Sequence, residues 1–267
     1  MRSTDGSTIA YTSLGHGEVI VVVGGALSTG SDYLAMASVL ASRFRVVVVD
    51  RRGRGDSSPQ GDDYSIEKER EDLDAVVDAT GATRLFGHSY GGLCILETAK
   101  CRDRFTRIAL YEPGVSVNGS IPTTWLEQYE RLLNQGDSRG AFAVMVKNSG
   151  FAPPPASHLP LWYLRIVLRI AIRQERWQHL EPLLQTNLNE HRVVADLDSS
   201  VAGYAAITSR VRLLAGSKTP RSMLAGLDQL NSRLPNSSLQ ILPGLDHLAP
   251  SEKAAEEVAG QVLSFFD

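Results

Sequence analysis

The sequence predicts an α/β fold in which helices cover both faces of a mostly parallel sheet. Two observations predict it. Strand-like Val- and Ile-rich runs alternate with amphipathic helical segments over residues 1–112 and 206–267, and this alternation is typical of a doubly wound sheet. The run Val19–Val23 is uniformly apolar, as expected for a parallel strand that is buried on both faces.

Eight strands are expected. Residues 2–13 predict two short strands around the turn signal Asp5-Gly6. The other strands are predicted at 18–23, 44–49, 82–86, 106–111, 211–215 and 238–242. Helical patterns fall between them, at 31–41, 66–80 (capped by Ser65), 93–101, 220–234 and 250–266.

The alternation stops in the middle of the chain. Residues 113–205 contain no confident strand pattern, and all three tryptophans lie there. Helical patterns occupy 124–134, 138–148, 161–172 and 177–188, with a Pro-rich link at 152–155. We therefore expect a helical cap (113–205) inserted into a core domain formed by residues 1–112 and 206–267.

Composition narrows the functional classes. A net charge of −3 does not indicate a nucleic-acid surface. The N-terminus lacks the apolar core of a signal peptide, and Arg165 and Arg169 interrupt the apolar run 161–172, so we expect no transmembrane segment. Cys94 and Cys101 lie two helical turns apart, too far for a disulfide. Because buried free thiols fit a reducing compartment, we expect a cytoplasmic protein.

The chemistry centres on Gly87-His88-Ser89-Tyr90-Gly91. A strand pattern precedes this Gly-x-Ser-x-Gly motif and a helix pattern follows it. On such a sharp strand-to-helix turn the serine hydroxyl is exposed above the sheet, and the helix N-terminus favours developing negative charge. The context predicts that Ser89 is a nucleophile, whereas a Gly-rich structural turn is the alternative.

A serine nucleophile requires a base. His247 follows the last predicted strand and is the best candidate, since the carboxyl ends of parallel strands meet at one edge of the sheet. We expect His88, inside the serine turn, to point elsewhere. No histidines pair at metal-ligand spacing, and the pattern calls for no cofactor or metal.

The acid partner leaves three alternatives open. Glu112 ends the strand that follows the serine helix, on the same sheet edge, and it is the preferred candidate. A Ser–His dyad without an acid is the second, and Asp196 or Asp198 of the cap is the third. The acid would fix the histidine tautomer and stabilise the imidazolium.

Backbone N–H groups of Tyr90 and Ala26, the latter beside Gly25, are the expected oxyanion-hole donors. Gly25 lets the backbone approach the substrate, and Trp125 and Trp162 are expected to line an apolar substrate pocket, although ordinary cap core explains both tryptophans equally well.

Two arginine groups have open roles. Arg51, Arg52 and Arg54 would either bind an anionic substrate or, as we favour, lie at the surface or stabilise a turn. A basic stripe could dock an acidic carrier protein or a membrane, although a solvated helix face is the stronger interpretation. Its residues are Arg165, Arg169, Arg173 and Arg176.

Taken together, four stretches resemble the α/β-hydrolase fold over nearly the whole chain. They are Gly24-Gly25-Ala26, Asp50 to Ser57, Gly87 to Gly92 and Gly244 to Pro250. The resemblance implies an eight-stranded sheet, a variable cap between the sixth and seventh strands, and a Ser–His–acid triad.

The chain departs from the family pattern in two places. Gly24-Gly25 stands where the family usually has His-Gly. The usual Asp after the penultimate strand is absent, and Lys218 or Thr219 occupies its place, although an acid after the sixth strand is a known variant. A serine nucleophile argues against the dehalogenase and epoxide-hydrolase branches.

We expect a serine hydrolase that acts on a carboxylic ester, thioester or lactone of a small, largely apolar metabolite. A cofactor-free lyase, cyclase or acyl transferase on the same fold is the second hypothesis, and a non-catalytic binding protein is the third. The oligomeric state is left open by the sequence.

Overall fold

A computed structural model describes residues 1–150 and 158–267, and the Pro-rich link predicted at 152–155 lies outside them. Its centre is a seven-stranded sheet in the order β1-β3-β2-β4-β5-β6-β7. All neighbouring strands are parallel except β1 and β3. The strands are Tyr11–Leu14 (β1), Val19–Val23 (β2), Arg45–Val49 (β3), Arg84–His88 (β4), Arg107–Tyr111 (β5), Arg210–Gly216 (β6) and Ser237–Leu242 (β7).

The predicted eighth strand is reduced to a single antiparallel bridge between Arg2 and Thr8. The reason is the tight turn between the two segments. Residues 3–7 form this turn, in which the N–H of Ser3 donates to the Ser7 carbonyl at 2.8 Å and the N–H of Gly6 donates to the Ser3 carbonyl at 3.0 Å. Beyond the turn, only Met1 and Ile9 among the described residues of the two segments exchange backbone hydrogen bonds, at 2.7 and 2.8 Å. The mostly parallel α/β architecture is otherwise as predicted.

Helices cover the sheet on both faces. One apolar layer joins the sheet to α2, α3 and α9, and the other joins it to α1 and α10. The helices of the core are Leu34–Leu40 (α1), Ile66–Thr80 (α2), Tyr90–Ala99 (α3), Arg221–Arg233 (α9) and Ala255–Phe266 (α10). Those between β5 and β6 are Leu126–Asn134 (α4), Ser138–Asn148 (α5), Leu161–Ala171 (α6), Gln174–Leu180 (α7) and Leu184–Asp196 (α8).

We call α4 to α8 the helical insertion. It has an apolar cluster of its own, in which Trp125, Tyr129 and Trp177 are buried. The single helix predicted at 177–188 is instead two helices separated by a 3₁₀ turn, Glu181–Leu183. Pro182 explains the break, because proline has no N–H to donate and its ring crowds the preceding turn. The second helix continues to Asp196, beyond the predicted end.

Cys94 is buried as expected, but Cys101 is exposed because α3 ends at Ala99. Within the basic stripe, Arg165 pairs with Asp137 at 2.8 Å, and Arg176 pairs with Asp32 at 3.0 Å. In the described part of the chain, no helix has the length and apolar character that crossing a membrane requires.

Candidate active site

Three side chains converge at the carboxyl edge of the sheet. Ser89 follows β4, Glu112 follows β5, and His247 lies in the loop after β7. Ser89 Oγ is 3.1 Å from His247 Nε2, and Glu112 Oε2 is 2.8 Å from His247 Nδ1. The structure therefore brings together the predicted nucleophile, base and preferred acid in one hydrogen-bonded chain.

The backbone is strained at this edge. Ser89 has φ 51° and ψ −124°, Glu112 has φ 42°, and Leu27, next to Ala26, has φ 54°. Non-glycine residues at positive φ cost on the order of 1–3 kcal/mol each and concentrate at functional sites. Gly25 packs directly against the nucleophile, since a Cβ there would lie 3.0 Å from the Ser89 Cβ.

Glu112 is buried and oriented by two donors on its other oxygen. Oε1 accepts the N–H of Gly216 at 2.8 Å and the hydroxyl of Thr219. Because the carboxylate only accepts, we assign the His247 proton to Nδ1, and Nε2 is then the acceptor for the Ser89 hydroxyl. Thr219 thus stands where the fold usually has an acid, and it holds the acid that the neighbouring strand supplies.

The other candidate acids lie elsewhere. Asp198 accepts hydrogen bonds from Ser116 and from the N–H of Gly119 at 2.9 Å. Asp196 lines a separate cavity. The carboxylate at hydrogen-bond distance from His247 Nδ1 is that of Glu112.

His88 joins the two sides of the site, a role that sequence reasoning missed. Its Nε2–H donates to the His247 carbonyl at 2.8 Å, and Nδ1 accepts from the Tyr33 hydroxyl at 2.6 Å. Tyr33 in turn accepts the N–H of Gly25 at 2.8 Å. Burial lowers the pKa of His88 well below its ordinary value, and the nearby His247 adds to the shift. A buried polar residue at the end of a central strand was the available signal, since such groups need partners.

The two predicted oxyanion-hole donors belong to residues that line the same cavity as Ser89. Ala26 and Tyr90 both line it, and no hydrogen bond within the described residues engages the backbone N–H of either. Gly25 is different, because its N–H already donates to Tyr33. Its carbonyl accepts from three side chains: Arg51, Arg54 and Ser28. Both polar backbone groups of Gly25 are therefore occupied by protein partners.

The cavity beside Ser89 is small, about 40 Å³. It is lined by the reacting groups and by apolar side chains: Val115, Ile121, Val194, Met223 and Leu227. His191 of α8 closes one wall and donates Nδ1–H to the Asn187 carbonyl at 2.9 Å.

The predicted pocket tryptophans lie outside this cavity. Trp125 is buried behind His191, with ring centroids 5.0 Å apart. Trp162 is 65% exposed on α6, because it points away from the apolar cluster of the insertion. Trp125 can therefore act on the pocket through His191, whereas Trp162 is a surface residue.

A much larger cavity, about 1220 Å³, lies between the core and α7–α8. Most of the residues that line it have polar side chains, and none of Ser89, Glu112 and His247 is among them. The smaller cavity is the candidate active site because the reacting groups converge there. The described residues contain no cluster of three or more His, Cys, Asp or Glu side chains that could hold a metal ion.

The three arginines after β3 are buried, which excludes the surface half of the role favoured from sequence and leaves its turn-stabilising half. Arg51 pairs with Glu69 at 2.8 Å, and Arg52 pairs with Asp72 at 2.6 Å. Arg54 pairs with Glu190 of the insertion. Neighbouring carboxylates compensate their charge, which permits burial.

Comparison with known proteins places this architecture in a family. The model of the alpha/beta hydrolase family matches residues 19–261. The chain belongs to that family. An α/β hydrolase from Sphaerobacter thermophilus is 29% identical to this chain, and the match covers 100% of this chain and 99% of that protein. The two structures superpose with a TM-score of 0.84.

Two further matches cover different shares of the chain. A thermophilic esterase from Thermogutta terrifontis superposes with a TM-score of 0.70 at 22% identity, and the match covers 99% of this chain and 95% of the esterase chain. RutD of Cronobacter turicensis, provisionally named a carbamate hydrolase, is 30% identical over 120 residues. That match covers 43% of this chain and 44% of RutD, so this α/β hydrolase spans less than half of that relative.

Proposed function

We propose that this α/β hydrolase is a serine hydrolase that cleaves a carboxylic ester, thioester or lactone with a small, largely apolar acyl group. The observation that carries the proposal is the chain Ser89–His247–Glu112, with contacts of 3.1 and 2.8 Å. A hydroxyl, an imidazole and a buried carboxylate in this order are the parts of an acyl-transfer triad.

In the acylation step, Ser89 Oγ attacks the substrate carbonyl carbon while its proton passes to His247 Nε2. Glu112 stabilises the imidazolium that forms. The carbonyl oxygen becomes an oxyanion, which accepts hydrogen bonds from the N–H groups of Ala26 and Tyr90. When the tetrahedral intermediate collapses, the leaving oxygen or sulfur takes the proton from His247.

Water then completes the cycle. His247 removes a proton from the water that attacks the acyl-enzyme carbonyl, and it returns that proton to Ser89 Oγ as the acid leaves. The small cavity supports a short acyl group, since pockets for drug-sized ligands are commonly about 300–1,000 Å³.

A fluorophosphonate tests the nucleophile. Ser89 attacks phosphorus, fluoride leaves, and the proton passes to His247, so the wild type becomes covalently labelled. Ser89→Ala abolishes labelling and hydrolysis of p-nitrophenyl acetate, whereas Ser38→Ala, an exposed serine on α1, retains both. An unlabelled wild type contradicts the proposal.

Turnover of ester, thioester and lactone substrates distinguishes hydrolysis from the non-hydrolytic alternative. A labelled enzyme that does not hydrolyse p-nitrophenyl esters, thioesters or lactones would favour the non-hydrolytic alternative. Ligand binding without labelling would favour a binding protein.

A further inference from the structure

The carbonyls of the loop that carries Ala26 are held by two buried arginines. Arg51 Nε donates to the Gly24 carbonyl at 2.9 Å, and Arg51 Nη2 donates to the Gly25 carbonyl at 3.0 Å. Arg54 Nη1 donates to the same Gly25 carbonyl at 3.0 Å. Two guanidinium groups therefore converge on one peptide oxygen.

That peptide bears an oxyanion-hole donor. The Gly25 carbonyl and the Ala26 N–H belong to the same planar unit, and it is trans. In a trans peptide the C=O and N–H point in opposite directions. Guanidinium groups that hold the carbonyl on one side of the loop consequently turn the Ala26 N–H toward the other side, where Ala26 lines the Ser89 cavity.

The arginines are themselves held by buried carboxylates. Glu190 of α8 is fully buried, and its Oε1 accepts from Arg51 at 3.0 Å and from Arg54. Although burial disfavours a charged guanidinium, Glu190 and Glu69 raise the pKa of Arg51 well above its ordinary value. Burial raises the pKa of the Glu69 carboxyl while Arg51 opposes that shift. Because arginine does not lose its proton in proteins, both guanidinium groups are charged where they hold the loop.

The second oxyanion residue is anchored in the same network. The Tyr90 and Tyr64 hydroxyls lie 2.8 Å apart, and the Tyr64 hydroxyl donates to Glu69 Oε1 at 3.0 Å. The Arg51 guanidinium also stacks over the Tyr90 ring, 4.9 Å from its centroid. The network thus contacts both Gly25-Ala26 and Tyr90.

We propose that Arg51 and Arg54 are positioning residues for the oxyanion hole, and that Glu190 makes their placement depend on the seating of the helical insertion. The proposal rests on the serine hydrolase function above. Displacement of α8 removes the carboxylate that orients both guanidinium groups, which frees the Gly25–Ala26 peptide to rotate. The insertion then regulates acyl transfer through the loop that carries Ala26, in addition to forming one wall of the Ser89 cavity with His191.

The test replaces Arg51 in a charge-balanced way. Arg51→Met with Glu69→Gln removes one buried positive and one buried negative charge together. The matched control is Arg52→Met with Asp72→Asn, a buried ion pair from the same loop. Arg52 donates its hydrogen bonds to Asp72 and Asp5 rather than to the carbonyls of Gly24 and Gly25. Both double variants lose a buried ion pair, but only the first also removes the Arg51 hydrogen bonds to the carbonyls of Gly24 and Gly25.

We expect the first double variant to lose about 10–100-fold in kcat for p-nitrophenyl acetate, with KM within about threefold, since removing one oxyanion donor outright costs about 100–1,000-fold. The control retains kcat within about threefold. ³¹P NMR of the fluorophosphonate adduct gives a second measurement, because the phosphoryl oxygen occupies the hole. The resonance moves toward that of the denatured adduct in the first variant and stays in place in the control.

Glu190→Gln decides the matter if the double variant does not fold, since it keeps the volume of the side chain and removes its charge. We expect a smaller loss of kcat and a ³¹P shift in the same direction. Equal kcat and an unchanged ³¹P resonance in variant and control would overturn the inference while leaving the hydrolase function intact. An unlabelled wild type would overturn both.

Discussion

Replacing Glu112 by Gln tests the acid of the candidate triad with a change of one atom. Oε1 of Glu112 lies against the N–H of Gly216, which can only donate. The Gln carbonyl oxygen must therefore occupy that position, and its NH₂ group faces His247 Nδ1. Nδ1 then has to accept, so the imidazole proton moves to Nε2, the atom that faces Ser89.

This tautomer cannot accept the Ser89 proton. In serine proteases the corresponding Asp→Asn change lowers kcat about 10⁴-fold with the geometry intact, which is about 5.5 kcal/mol of barrier. We expect a loss of that order for Glu112→Gln because the same tautomer error is imposed. The variant should fold normally, since both donors to Oε1 keep an acceptor.

The assay is kcat for p-nitrophenyl acetate together with the rate of fluorophosphonate labelling. Thr219→Val is the control, since it removes one donor to Glu112 and leaves the charge. We expect a loss of about 10–150-fold, because a hydrogen bond to a charged group contributes about 1.5–3 kcal/mol. Activity of Glu112→Gln within about tenfold of wild type would refute the assignment of Glu112 and favour a Ser–His dyad.

Three further predictions follow from the packing. Gly91→Ala should lower Tm by several degrees, because its Cβ would lie 2.3 Å from the Val23 carbonyl oxygen and overpacking costs about 1–3 kcal/mol. The control Gly260→Ala lies in open space on α10 and should raise Tm slightly. Equal changes of Tm in the two variants would contradict the packing argument. The lowered pKa of His88 means that the unfolded chain binds more protons below about pH 6.5, so the free energy of unfolding should fall as pH falls, by up to about 1.4 kcal/mol per pH unit. Denaturant titrations of His88→Gln from pH 5 to 7 should show a weaker dependence of the free energy of unfolding on pH. An unchanged dependence would argue against a lowered pKa of His88. Hydrolysis of p-nitrophenyl esters should fall by about tenfold or more from acetate to octanoate, and Met223→Ala should shift the optimum to longer chains; equal wild-type rates along the series would mean that the cavity opens to admit long chains.

Much of the fold and the reacting residues could be predicted because each has a local signal. Val-rich runs that alternate with helical periodicity indicate a parallel sheet, and in such a sheet the carboxyl ends of the strands meet at one edge. This topology alone placed Ser89, Glu112 and His247 at the same edge. The glycines on either side of Ser89 likewise indicate a turn from the sequence alone.

The burial of the arginines after β3 could not be obtained in this way. It depends on a partner distant in sequence, Glu190, which pairs with Arg51 and Arg54. A charged residue in a turn-rich loop has the same local pattern whether it faces water or a carboxylate 139 positions away. A charged side chain can be buried only where a group of opposite charge lies beside it, and that neighbour is set by the folded structure.

The sequence by itself determined the sheet, the nucleophile turn and a histidine beyond the last strand, since these follow from periodicity and chain order. The tertiary structure alone decided which acid faces His247 and that Thr219 and Gly216 orient it. It also decided that Glu190 of the helical insertion holds the arginines that bind the carbonyls of Gly24 and Gly25. These relations are hydrogen bonds and ion pairs across different elements, and they are formed only when those elements pack together.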